Sequence, residues 1–283
     1  MLDIDPERAP STPRDAATVI VLREAGDAAE VFLVRRHASS GFMGGAHVFP
    51  GGKLDDADGH PALLSRIRGR TPEDCAAALG ERDPSKSVAL FLAAIRETFE
   101  EAGVLLAQGE VDEATRHALQ VGETTLVEVA EAADLHFELN RLVPQARWVT
   151  PVVERRRYDT RFFLTCVPPD QRASHDRRET TEGAWWTPAD ALAKADAGEI
   201  LLPPPTRRTL EWLAERGRVE DALSLAASRP PPLVQPVFVD DDGTFVLALP
   251  GDPLHPTQEP AFGGATRFVL EGDRWTSRDG RVG

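Results

Sequence analysis

Residues 94–104 read Ala94-Ile95-Arg96-Glu97-Thr98-Phe99-Glu100-Glu101-Ala102-Gly103-Val104, downstream of a Phe49-Pro50-Gly51-Gly52 turn. Laid out as a helix at roughly 100° per residue, the segment puts Val88, Phe91, Leu92, Ile95, Phe99 and Ala102 in one apolar stripe. Glu97, Glu100 and Glu101 centre on the opposite side. Core packing therefore does not account for these acids. At i, i+3 and i+4 they are neighbours on a helix surface, where like charges repel unless a cation is present. The pattern predicts a divalent-metal site, with Arg96 placed to orient one acid or to partner Asp58. Gly51-Gly52 lets the backbone approach a metal or phosphate closely. It is not a P-loop, since Leu54 stands where Ser or Thr is required and His47 holds the upstream glycine position.

Outward from this helix, Ala17–Leu22 and Val31–Arg35 read as strands flanking a turn at Gly26-Asp27, and His47-Val48-Phe49 as a third. Thr71-Pro72-Glu73-Asp74 is a helix start, with Thr71 as cap and Asp74 as the box acid, and Gly80 a stop. Ser85 is the expected cap of the acid-bearing helix and Gly103 its end. Residues 111–134 read as helical, Arg147–Val152 and Tyr158–Val167 as strands, and Thr187-Pro188-Ala189-Asp190 as another helix start. Pro203-Pro204-Pro205 marks a boundary, after which Thr206 opens a helix that stops near Gly217. Val237–Val239 and Thr244–Leu247 flank a hairpin turn at Asp241-Asp242-Gly243, and Arg267–Leu270 supplies a further strand. This order of strands, helix, strands and helix predicts an α/β or α+β sandwich with its sheet covered on both faces.

The chain has 283 residues and a formal charge of −14, which argues against a general binder of nucleic acid or membrane surfaces. A polyanionic substrate would instead meet local arginines and metal ions. Cys75 and Cys166 lie far apart without metal-ligand spacing, so neither a disulfide framework nor a structural zinc is indicated, and a cytoplasmic setting is the simplest expectation. Residues 1–15 lack the basic start and apolar run of a secretory signal, no run is long enough to span a bilayer, and the terminal Arg281-Val282-Gly283 is not a peroxisomal tripeptide.

The segment Arg96-Glu97-x-x-Glu100-Glu101-x-Gly103-Val104 resembles the second half of the Nudix box, and Gly51-Gly52 with Asp55 and Asp58 resembles a variant of its first half. Residues 59 to 95 intervene before Arg96, so the box is split by an insertion. This is similar to the branch of Nudix hydrolases that includes peroxisomal-type acyl-CoA diphosphatases. That branch also shows Trp-x-Thr-Pro and Asp-Thr-Arg-Phe-Phe, present here as Trp148-Val149-Thr150-Pro151 and Asp159-Thr160-Arg161-Phe162-Phe163. The resemblance implies a Nudix-like α/β/α sandwich with a mixed sheet, a hydrolase domain over residues 1–215 with a helical insertion at about 59–84, and a C-terminal extension over 216–283. The extension is expected to pack on the core as a homodimer contact or a substrate lid.

The resemblance further implies that Glu97, Glu100 and Glu101 bind Mg²⁺ or Mn²⁺, with the Gly51 carbonyl as an additional ligand and Arg96 in support. An acid on a late loop before a Trp-containing strand serves as base in several such enzymes. Glu179 has that spacing from Trp185, with Glu182 in reserve and Glu97 an alternative. Arg35, Arg36, Arg157 and Arg161 are candidates for the phosphates of a nucleotide substrate through charge-assisted bonds. Alternation along the strand sets Arg157, Asp159 and Arg161 on one face, which also fits an ion-pair ladder. The implied activity is a CoA or acyl-CoA diphosphatase that gives 3′,5′-ADP and 4′-phosphopantetheine. Hydrolysis of ADP-ribose, NADH or nucleoside triphosphates is the alternative within the class, and a non-catalytic nucleotide-sensing domain the alternative outside it.

Overall fold

The structure, a computed structural model, describes residues 11–37, 44–174, 180–241, 243–272 and 274–281. Its centre is the strand Arg14–Ala25. Ala17, Val19 and Val21 point to one core and Ile20 and Leu22 to the other, all fully buried. The alternation is invisible as polarity because both faces are covered, so the strand reads as a continuous apolar run.

Around this strand the main sheet runs in the order Thr180–Trp186, Ala28–Arg36, Arg14–Ala25, Tyr158–Cys166, Val143–Val149 and Leu233–Val234. The central strand is antiparallel to Ala28–Arg36 across the Gly26-Asp27 turn and parallel to Tyr158–Cys166. Two short strands complete the eight among the described residues. His47–Val48 pairs with Ala28–Arg36, and Gly51–Lys53 pairs with the start of the central strand, Gly51 opposite Thr18. The mixed α/β architecture follows the sequence expectation.

On one face lies the helix Pro84–Ala102, and its predicted apolar stripe is buried throughout. Phe91 packs on Phe163 with ring centroids 4.8 Å apart, a contact that buries an aromatic side chain at a gain of about 2–3 kcal/mol. The helix cap is Asp83, not Ser85. Asp83 accepts from the N–H groups of Ser85 and Lys86, and Pro84 takes the first helical position, where its missing N–H costs nothing. At the other end Gly103 adopts φ 67°, the left-handed conformation that terminates helices.

The insertion is ordered. Thr71 and Asp74 form the expected capping box of a helix over Pro72–Leu79 that ends at Gly80. Residues 111–134 divide into two helices, Glu113–Gln120 and Leu126–Ala132, because Gly122 and a second cap at Thr125 interrupt the run. On the opposite face of the sheet, the helix Pro204–Ala214 starts two residues before Thr206. The proline triplet opens it rather than preceding it, since Pro204 and Pro205 stand in the first turn, where the N–H groups have no helical partner anyway. Beyond residue 215 the helix Val219–Ala227 packs into the second core and Leu233–Val234 adds to the main sheet. A separate four-stranded antiparallel sheet then forms from Val237–Asp241, Thr244–Ala248, Arg267–Glu271 and Arg274–Arg278. Among the described residues no helix is long and apolar enough to cross a membrane.

Candidate active site

The acid-bearing end of the Pro84–Ala102 helix meets the Gly51-Gly52 turn at the edge of the sheet. The Gly51 N–H donates to Glu101 Oε2 at 2.9 Å. Gly52 lies so close to Glu97 that a Cβ there would overlap the carboxylate, and a Cβ on Gly51 would come within 2.7 Å of the Thr18 Cα. Gly51 is therefore required by the close approach of strand to strand, whereas a side chain at Gly52 would displace the Glu97 carboxylate.

Arg96 ties the two halves of the split box together. Its Nε and Nη2 donate to the two oxygens of Asp58 at 2.8 and 2.9 Å, and Nη2 also reaches the Lys53 carbonyl at 3.0 Å. Nη1 donates to Glu97 Oε1 at 2.8 Å and Glu100 Oε1 at 3.4 Å. Asp58 is 1% exposed and sits in the capping box of the turn of helix over Asp56–Gly59. The bidentate pair therefore fixes the insertion against the acid-bearing helix. Burial alone would lower the Arg96 pKa, but the hydrogen bond to Asp58 and the charges of Glu97, Asp58 and Glu100 outweigh it and hold the guanidinium firmly charged. Burial pushes the Glu100 carboxyl up to about 7; Arg96 opposes the rise, and Glu97 and Asp58 add to it.

One guanidinium thus faces several carboxylates, and a cation would be drawn there. Among the described residues no three acid, histidine or cysteine side chains converge into a ready-made cage. Mg²⁺ does not need one, since it takes one or two carboxylates and fills its shell with waters and substrate phosphates. The hard-oxygen donors of Glu97, Glu100 and Glu101, with a carboxyl whose charge is costly without a partner, fit a divalent ion of this kind.

The acids open onto a cavity of about 520 Å³. Its lining includes Arg36, Lys53, Arg96 and the glutamates, together with residues of the Trp148–Phe162 hairpin, the proline triplet and the C-terminal sheet. Of the arginines expected at substrate phosphates, Arg36 lines the cavity, and its buried Nε has no hydrogen-bond partner among the described residues. Arg35 is half exposed and lies 3.9 Å from Glu182. Arg157 donates to the carbonyls of Thr150 and Ser11. Arg161 is 2% exposed and forms ion pairs with Asp15, Asp159 and Glu81, while Arg147 pairs with Asp159. Asp159 and Arg161 thus form part of the ion-pair ladder that alternation allowed, joined by Arg147 and extended to the insertion through Glu81, while Arg157 bonds to main-chain carbonyls instead. Glu179 lies outside the described residues. The sequence reading missed Glu154, a 6% exposed carboxylate on the loop after Trp-x-Thr-Pro that also lines the cavity. A lone acid among arginines in a loop carries no periodic signal; only the hairpin's closure brings it inward.

Residues 13–213 match the family model described as the NUDT19 Nudix domain. The chain belongs to the NUDT19 family of Nudix hydrolases. Among curated proteins this Nudix hydrolase is 30% identical to acyl-coenzyme A diphosphatase NUDT19 of Gallus gallus, over 87% of this chain and 77% of the relative. It is 28% identical to the Xenopus laevis protein of the same name, over 85% and 75%. Among solved structures, a Nudix hydrolase from Alicyclobacillus acidocaldarius is similar, with TM-score 0.66 and 30% identity, covering 76% of this chain and 97% of that one. Nudix hydrolases generally use divalent metals, and the carboxylates of Glu97, Glu100 and Glu101 are of a kind that such ions bind.

Proposed function

We propose that this Nudix hydrolase cleaves the diphosphate of CoA and acyl-CoA, releasing 3′,5′-ADP and 4′-phosphopantetheine or its acylated form. The supporting observation is that the Gly51-Gly52 turn meets Glu101 and Glu97 beside a cavity that Glu100 and Arg36 also line. The names of the relatives, matched over most of the chain, point to the same substrate class.

Diphosphate hydrolysis needs a positioned water, neutralised phosphoryl oxygens and a stabilised leaving oxyanion. A divalent ion supplies charge neutralisation and water activation when bound. Arg96 holds Glu97 and Glu100 in position through its Nη1, and Asp58 in turn holds Arg96. Arg36 presents a guanidinium to a phosphate of the substrate. Water adds to one phosphorus, the bridging P–O bond breaks, and the proton of the water passes to a carboxylate. Glu154 is our candidate for that acceptor within the described residues, with Glu179 the candidate outside them. Mg²⁺ and Mn²⁺ both suit oxygen donors.

Mass-spectrometric product analysis with each metal and a panel of CoA, acyl-CoA, ADP-ribose, NADH and nucleoside triphosphates tests the reading. Release of 3′,5′-ADP from CoA that is lost in Glu100→Gln supports it; cleavage confined to another panel member refutes the substrate assignment. Comparing Glu154→Gln with Glu179→Gln assigns the base, which is the residue whose loss lowers kcat by about 100-fold or more.

A further inference from the structure

Part of the cavity wall is built by Pro203, Pro204 and Pro205 at the start of one helix and by Pro236 and Leu247 from the C-terminal region. Four of these five are prolines, so the backbone offers no N–H donor at those positions. The proline side chains and Leu247 offer apolar surface, and apolar contact is all that an alkyl chain asks for.

The wall is also rigidly placed. Leu233–Val234 pairs with Arg147–Trp148 in the main sheet, which sets Pro236 beside the hairpin that lines the cavity. Leu247 lies mid-strand, paired to Phe238 on one side and Phe268 on the other, and is 7% exposed in the second core. Pro236 and Leu247 both lie beyond residues 213, where the family match ends. The part of the chain outside the Nudix match therefore contributes directly to the ligand cavity.

We propose that Pro236 and Leu247, with the proline triplet, form the subsite for the alkyl portion of an acylated substrate, and that Leu247 sets the length of chain the enzyme accepts. The proposal rests on the acyl-CoA reading above. A larger residue at 247 shortens the space available to the chain, and a smaller one lengthens it.

The test uses the full chain and a series from free CoA to dodecanoyl-CoA. It reads kcat/KM for each acyl length relative to that for free CoA in wild type, Leu247→Phe and Leu247→Ala, with thermal unfolding to verify folding. In Leu247→Phe the decanoyl-to-CoA ratio should fall at least tenfold, and in Leu247→Ala the preferred chain length should move upward. If Leu247→Phe does not fold, the shift in Leu247→Ala decides alone. Ratios that match wild type at every length in the folded variants overturn the subsite while leaving the diphosphatase reading intact. A wild-type enzyme that cleaves neither CoA nor any acyl-CoA removes both.

Discussion

Arg116, buried on the helix Glu113–Gln120, donates two hydrogen bonds to the main-chain carbonyl of Glu100, from Nε at 3.2 Å and Nη2 at 3.0 Å. That carbonyl has no helical partner, because the chain turns at Gly103 and the N–H groups of Gly103 and Val104 go back to Phe99 and Thr98. Gln120 adds a third donor to the same oxygen. The end of the helix that carries the acids is thus held by a neighbour rather than left to fray. Arg116→Lys keeps the charge but loses the fork, and should cost about 1.5–3 kcal/mol in denaturant unfolding, with a parallel loss of kcat. Wild-type stability in this variant would show that the carbonyl is equally well served by solvent.

Gly52→Ala forces a methyl group into the Glu97 carboxylate. The backbone there belongs to an edge strand and can stay folded, but Glu97 must move. A displacement of about 1 Å at a catalytic group can cost on the order of 100-fold in rate. The expected outcome is a cooperative unfolding transition close to wild type and kcat/KM down by about that factor; an active Gly52→Ala enzyme would mean that Glu97 does not work from this position.

The raised Glu100 pKa makes metal-free stability depend on pH. Between the unfolded value of 4.5 and the folded value of about 7 the native state holds more protons than the unfolded state, so stability falls as pH rises through this window. The loss is bounded at about 3 kcal/mol. Urea unfolding in EDTA should give a lower midpoint at pH 7.5 than at pH 5, and Glu100→Gln should shrink that difference. Divalent metal at pH 7.5 should restore stability. Buried His47, whose pKa burial lowers, acts in the opposite sense below pH 6.5, so the deciding readout is the comparison of the two proteins: a pH dependence unchanged in Glu100→Gln would contradict the buried, costly charge.

Arg36 and Arg161 should separate cleanly when each is changed to methionine. Arg36 faces the cavity, so its loss removes a charge-assisted contact to phosphate and should raise KM about tenfold with little change in stability. Arg161 is committed to Asp15, Asp159 and Glu81, and breaking a buried set of that kind should cost about 3 kcal/mol or more in unfolding while the KM of the surviving folded enzyme stays near wild type. A KM effect at Arg161 without a stability effect would return it to the substrate-binding set.

Much of this site is local and hence legible in order along the chain. The spacing of Glu97, Glu100 and Glu101 against the apolar stripe places the acids on one helical surface, and Thr71-Pro72 and Gly103 mark helix ends through backbone chemistry that needs no distant partner. The competition at Asp83 and Ser85 shows the limit: both residues can cap, and the proline between them decides in favour of Asp83 because it fits the first helical turn. The arginines are harder still. Arg36, Arg157 and Arg161 carry the same charge in similar strand contexts, and only the acids that the fold brings alongside distinguish a guanidinium that faces a cavity from one that is consumed in ion pairs.

The sequence by itself determined the acid-bearing helix, the glycine turn and the alternation of strands and helices, because each depends on a periodicity or a turn preference that spans a few residues. The sequence offered Asp58 and a neighbouring acid as alternative partners of Arg96, and the structure joins it to both; the tertiary structure alone decided that Glu154 turns inward and that Pro236 and Leu247 wall the cavity, because those contacts join segments tens to hundreds of residues apart and exist only once the sheet has ordered its strands.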